Sequence, residues 1–199
     1  MNRFLAFAAL LTAAFSLLGC SPMRGDPRWQ TLIDGSSGLD NWTNVGYANW
    51  RAEDGCIIAD HRPGNGSAHF LLTRNSYRDF QIHTEFWVSD DANSGVYLRC
   101  SDERPITDRT CYEANIFDRR PDPSYGTGAI TNIAKVDPMP KAGGKWNVFD
   151  IEVKGNRITV MLNGVKTAEA EDGQHASGPI GLQYAGGLVK FRKFQIRPL

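Results

Sequence analysis

From Trp29 onward the apolar residues come in short runs at every second position, and no stretch draws an apolar stripe along three helical turns. Period-two alternation covers residues 80–88, 96–100, 111–117, 149–153, 158–162 and 189–196, and each run predicts a strand with one face turned to a core. Asp34-Gly35, Asp54-Gly55, Asn65-Gly66, Asn163-Gly164 and Asp172-Gly173 punctuate the pattern with dipeptides that accept the positive φ of tight reversals. Many short strands without intervening helices predict an all-β chain, folded as a two-sheet antiparallel jelly-roll sandwich in one domain over residues 29–199.

The same alternation says which side chains share a face. Phe80, Ile82 and Phe86 point to the core, which puts Gln81, His83, Glu85 and Trp87 together on the other side. Tyr97 and Arg99 oppose Val96 and Leu98, Glu113 and Asn115 oppose Ala114 and Ile116, and Ile180 with Leu182 turns Gln183 outward. One reading is an ordinary solvated sheet face. The presence of Trp87 and Tyr97 among Glu85, Arg99, Glu113, Asn115 and Gln183 favours a sugar site instead, because rings stack on sugar C–H faces while amides and carboxylates bind hydroxyls.

Composition narrows the partners. The chain has 199 residues, with 22 basic against 22 acidic side chains, and no Lys/Arg run exceeds two. Nucleic-acid binding, which needs clustered cations to displace counterions, is therefore not expected. The first residues are of another kind. After Arg3, residues 4–18 are almost wholly apolar and end in Leu17-Leu18-Gly19-Cys20, too short a run to span a bilayer, which takes roughly 20 residues. This ending resembles a bacterial lipoprotein signal, which implies removal of residues 1–19 and acylation of Cys20, with residues 20–28 as a tether. Ser21 resembles the sorting context for the outer membrane, so the expected location is the bacterial envelope, lipid-anchored and facing the periplasm. In that oxidising compartment Cys100 and Cys111, which flank a turn-like segment, are expected to pair and leave Cys56 as a buried thiol. No Cys-x-x-Cys pair or tight His spacing marks a metal site.

Between Trp29 and Leu199 a series of short motifs carries a resemblance. They are W-x-x-L-x-D-G (Trp29, Leu32, Asp34, Gly35), Y-R-D-F (Tyr77 to Phe80), N-S-G-V-Y-L-R (Asn93 to Arg99) and Y-E-A-N-I-F-D (Tyr112 to Asp118). T-G-A-I (Thr127 to Ile130), W-N (Trp146, Asn147), L-N-G (Leu162 to Gly164) and G-P-I-G-L-Q…V-K-F-R (Gly178 to Gln183, Val189 to Arg192) follow. In this order and spacing they resemble the 3-keto-disaccharide hydrolase domain family, a group with a concanavalin A-like fold. The resemblance implies a concave face holding the site, a carbohydrate substrate, and cleavage of glycosides oxidised at C3 by removal of the acidified C2 proton, elimination and hydration; the chain is expected to be a monomer. Carried onto this chain, it implies Glu113 or Glu85 as the proton-transferring carboxylate and Arg99 as the cation near the ketone. Asn115 and Gln183 would orient hydroxyls. Trp87, Tyr97 and His83 would contact sugar, as would Asp118, which precedes Arg119-Arg120 and is equally suited to a turn. A divalent cation could be held where carboxylates and His83 meet. Many members carry His two residues after the Gln of L-Q, where this chain has Ala185.

Overall fold

The computed structural model describes residues 28–61, 68–101 and 105–199. The signal segment, Cys20, the tether up to Pro27 and the Asn65-Gly66 turn lie outside them. The strands are β1 (Gln30–Asp34), β2 (Trp42–Val45), β3 (Arg51–Glu53), β4 (Cys56–Ala59), β5 (His69–Thr73), β6 (Phe80–Val88) and β7 (Asn93–Leu98). Then come β8 (Tyr112–Ile116), β9 (Trp146–Lys154), β10 (Arg157–Leu162), β11 (Val165–Glu171), β12 (Gly181–Gly186) and β13 (Val189–Pro198). Short 3₁₀ turns occupy Leu39–Asn41 and Pro123–Tyr125.

These strands form the expected antiparallel sandwich. The larger sheet runs β11-β10-β9-β6-β13-β4-β3 with β1 also paired to β13, and the smaller runs β2-β5-β12-β7-β8. Two of the expected dipeptides make hairpins, while β9 and β10 are joined at Gly155-Asn156, which alternation does not mark. Asp54 and Gly55 (φ 49° and 69°) join β3 to β4, and Asn163 and Gly164 (φ 52° and 79°) join β10 to β11. Two consecutive positive φ values suit the right-handed twist of the flanking strands.

The core lies between the sheets. Phe80, Ile82 and Phe86 of β6, Phe149 and Ile151 of β9 and Phe191 and Phe194 of β13 meet Leu71 of β5, Val96 and Leu98 of β7, Ala114 and Ile116 of β8 and Leu182 of β12. The Phe86 ring lies 4.9 Å from that of Phe149 and 6.5 Å from that of Phe191. Truncating it to Ala would cost ~3–5 kcal/mol, as for other buried aromatics.

Two features turn this sandwich into a container. Cys100 and Cys111 are disulfide-bonded as expected, at the end of the β7–β8 pair, and Cys56 is a buried free thiol. Ile106, from the loop between the two cysteines, packs with Phe70, Leu72 and Tyr97 on the outer face of the smaller sheet. That outer face is therefore roofed in part and not simply solvated.

Candidate functional site

Between the outer face of the smaller sheet and the disulfide loop lies a hollow of about 490 Å³, a size suited to a small-molecule ligand. Its floor is Phe70 from β5, Gln183 from β12, Tyr97 from β7 and Glu113 from β8, each projecting from an adjacent strand. Ile106, Thr107 and Asp108 from the disulfide loop form one wall, and Arg120 from the turn after β8 stands at another. The floor follows from register. Phe70 is opposite Gln183, and Tyr97 is opposite Glu113, so each pair emerges on the same side of the sheet.

Glu113 has only 4% of its surface exposed. Burial disfavours its charged form and pushes the carboxyl up to about 7 from an ordinary 4.5. The Thr131 hydroxyl, the Arg120 guanidinium and the Tyr97 hydroxyl pull the other way, while Asp108 adds to the rise; burial outweighs them. Gly95 makes room for this side chain, because a Cβ there would stand 2.8 Å from Glu113 Oε1 and 3.1 Å from its Cγ. Tyr97 is held protonated, its phenol pushed far up by burial and by the nearby Glu113 and Asp108 charges. Its ring meets Phe70 edge-on at 4.9 Å, and its hydroxyl accepts from Gln183 Nε2 at 2.8 Å. Gln183 Oε1 is buried without a protein partner, leaving a lone acceptor on the floor. The hollow thus offers a weakly basic carboxylate, a neutral phenol and an open acceptor.

Of the residues chosen from sequence, Glu113, Tyr97 and Gln183 come together here. Asn115 projects on the same side of β8 but is overlaid by the following segment: its Nδ2 donates to Tyr125 O at 2.7 Å, and its backbone pairs with Gly128 and Ala129. It does not line the hollow.

Arg99 lies elsewhere. Its φ of 50° takes it out of the β7 alternation, and its side chain, 2% exposed, turns away from Glu113. Nε donates to Arg78 O at 2.6 Å, Nη1 to Gly155 O at 2.8 Å and His175 O at 3.1 Å, and Nη2 to Asp79 Oδ1 at 3.0 Å. Arg99 is a clip that ties β7 to the chain before β6 and to the turn between β9 and β10. Two motifs of the family resemblance, Y-R-D-F and the Arg ending N-S-G-V-Y-L-R, therefore meet each other and not the hollow.

Glu85, His83 and Trp87 share a face as expected, but β6 belongs to the larger sheet, so that face is the opposite outer surface of the sandwich. There Glu85 pairs with Arg192, His83 Nδ1 lies 2.7 Å from Asp150 Oδ1, and Lys190 sits over the Trp87 ring at 5.4 Å. Asp118 also has a task other than sugar contact. Its carboxylate accepts from Thr127 Oγ1 at 2.6 Å and from the amides of Ala142 and Gly143 at 2.9–3.1 Å, and it pins the turn after β8. The sequence leaves open a divalent cation at His83 and the carboxylates; among the described residues no group of three or more His, Cys, Asp and Glu side chains is gathered to hold a metal.

Sequence reasoning missed Arg120, Asp108, Phe70 and Gly95. The first two lie in loops, where alternation is silent. Phe70 sits in a continuous apolar run, and Gly95 contributes only the absence of a side chain.

The family model described as 3-keto-alpha-glucoside-1,2-lyase-like domain matches residues 28–197. A crystal structure of a candidate glycosyl hydrolase from Parabacteroides distasonis is 18% identical, with a TM-score of 0.73 over 86% of this chain and 94% of that one. A second candidate glycosyl hydrolase from the same organism is 26% identical, with a TM-score of 0.67 over 86% of this chain and 99% of the other. A carbohydrate-binding module from Bacillus subtilis is 18% identical, with a TM-score of 0.60 over 79% of this chain and 95% of that module, a likeness of fold. None of the curated proteins compared matches the chain.

Proposed function

The chain belongs to the 3-keto-alpha-glucoside-1,2-lyase-like domain family, and from that premise we propose that the hollow binds a glycoside oxidised at C3 and that Glu113 removes its C2 proton. The observation that carries this reading is one carboxylate, buried on the floor of a ligand-sized hollow, with its pKa pushed up to about 7. A base poised near neutral pH matches an abstraction whose driving force is supplied by the adjacent ketone. The C–H electron pair moves into the C2–C3 bond, and negative charge collects on the C3 oxygen. Collapse of that enolate forms C1=C2 and expels the anomeric oxygen with its bonding pair. The departing oxygen takes the proton that Glu113 removed, which restores the base, and water adding across C1=C2 (oxygen to C1, hydrogen to C2) completes a net hydrolysis. Gln183 Oε1 accepts a sugar hydroxyl, and Tyr97 donates to Glu113 or to the substrate.

Aglycone release from 3-keto-glucosides by the purified protein, assayed with and without chelator, tests the reading. Turnover that disappears in Glu113→Gln with the fold retained supports it. Inertness toward every such compound, together with saturable binding of a glycan, replaces it with a non-catalytic carbohydrate-binding module. On the sequence of residues 1–28 alone we further propose that Cys20 is acylated and anchors the domain in the bacterial envelope, at the outer membrane facing the periplasm. Incorporation of labelled palmitate that survives in Cys20→Ala would refute the anchor.

A further inference from the structure

The elimination leaves one requirement unfilled once Arg99 is withdrawn: a cation for the oxygen on which negative charge collects. A neutral floor of Tyr97 and Gln183 would leave that charge in a low-dielectric hollow beside an acid, and stabilisation of developing charge is commonly the largest single contribution to catalysis. The chain after β8 meets the requirement. Leaving Ile116 it turns through Phe117-Asp118-Arg119-Arg120, with the Arg120 amide bonded back to Phe117 O. Asp118 holds this turn rigid through Thr127, Ala142 and Gly143. Lys141 Nζ adds a bond to Asp118 O at 2.7 Å. Of the two arginines so presented, Arg119 is exposed and Arg120 lines the hollow.

Arg120 is the cation among the described lining residues. Among those residues its guanidinium has no hydrogen bond or ion pair, so its donors remain free. Arg99 differs: it is buried, and its Nε, Nη1 and Nη2 all donate to protein acceptors. Arg120 shares the lining of the hollow with Glu113 and Tyr97, and its charge acts to lower the pKa of both.

We propose that Arg120 is the catalytic cation of this site, donating N–H groups to the C3 oxygen as the ketone becomes an enolate; the proposal rests on the reading of Glu113 as the C2 base. The guanidinium stays protonated throughout, so it stabilises charge and transfers no proton. Asp118, which does not line the hollow, is the positioning residue that holds the turn carrying it.

The test measures aglycone release and solvent-deuterium exchange at C2 of a 3-keto-glucoside for wild type, Arg120→Gln, Arg120→Lys and Arg119→Gln. Arg120→Gln is expected to lose about 10²–10³-fold in kcat, the usual loss of a preorganised donor to an oxyanion, with KM changed less than threefold. Arg120→Lys regains part of the loss, and Arg119→Gln is unaffected. Because Arg120 favours the charged form of Glu113, its removal must also move the acid limb of kcat/KM to higher pH, a displacement that a merely structural arginine would not produce. Wild-type activity with Arg120→Gln equally active, or with its pH limb unmoved, overturns the role of Arg120 and leaves that of Glu113 standing. A wild type inert to all 3-keto-glycosides overturns both. Should Arg120→Gln fail to fold, Arg120→Met takes its place with the same two readouts, rate and pH limb.

Discussion

Replacing Arg99 with Met separates the reading of that residue from sequence from the one its contacts give. Methionine keeps an unbranched apolar stem of similar reach and deletes four hydrogen bonds, three to the carbonyls of Arg78, Gly155 and His175 and one to Asp79. Each bond from a charged donor is worth ~1.5–3 kcal/mol net, but their sum overshoots, because one side chain is ordered once for all four. A better guide is the ~3–5 kcal/mol lost when one partner of a buried ion pair is removed. Asp79 keeps its bond from the Gly155 amide at 2.9 Å and is about a third exposed, so its charge is not stranded. The expected loss is therefore near the middle of that range, ~4 kcal/mol.

Urea unfolding followed by tryptophan fluorescence reads this loss directly. The midpoint should fall with an unchanged slope, and the melting temperature should drop ~8–16 °C at ~2–4 °C per kcal/mol for a domain of this size. Arg99→Lys should recover less than half, since a single ammonium cannot span acceptors spread over a guanidinium fork. Turnover per folded molecule should stay within threefold of wild type. A stability loss under ~1 kcal/mol, or abolished turnover at unchanged stability, would show that the clip has been misjudged and that Arg99 serves the chemistry.

The Glu113 carboxyl titrates near 7 when folded against an ordinary 4.5, so the folded state binds its proton more tightly, and ionisation destabilises the fold as pH rises across that interval. The wild type should thus lose ~3 kcal/mol relative to Glu113→Gln between pH 4.5 and 8, and parallel stability profiles of the two proteins would contradict the raised pKa. Gly95→Ala places a methyl 2.8 Å from Glu113 Oε1; at least a tenfold loss of turnover with a melting temperature moved by only a few degrees is expected, and an unchanged rate would count against Glu113 as the base. Opening the disulfide by Cys100→Ser with Cys111→Ser should cost ~3 kcal/mol for a loop of this length. It should raise KM more than it lowers kcat, because Ile106 and Asp108 lose their anchorage; equal kinetics would place the loop outside the binding site.

The strands, their facing and the disulfide were legible because each has a local signature: period two, turn dipeptides, and two cysteines flanking a polar segment. Glu113, Tyr97 and Gln183 were reached in the same way. Alternation reports a side of a strand, though, and not which sheet the strand joins. Glu85, His83 and Trp87 were correctly grouped with each other and wrongly joined to Glu113, since only the pairing of β6 with β9 and β13 decides that their face is the far one. Arg99 misled for a backbone reason: a φ of 50° ends the alternation one residue before the cysteine that seemed to end the strand. Arg120 left no periodic signal at all, although a doubled arginine after a turn-forming Asp118 was a clue to a fixed cation.

Clip and hollow are distinct in space but linked through register. Arg99 and Cys100 occupy consecutive positions where β7 ends, and Cys111 directly precedes β8, so both restraints act on the same ladder. That ladder sets Tyr97 against Glu113 and Gly95 against Asn115. A slip of one residue would invert every side chain, turning Glu113 inward to the place of Ala114 and presenting an apolar face to the ligand. An ionised Glu113 works against folding of the strand pair that carries it. The guanidinium clip and the disulfide hold that pair where the penalty falls on the base and not on the register, and both stand beside the hollow without lining it.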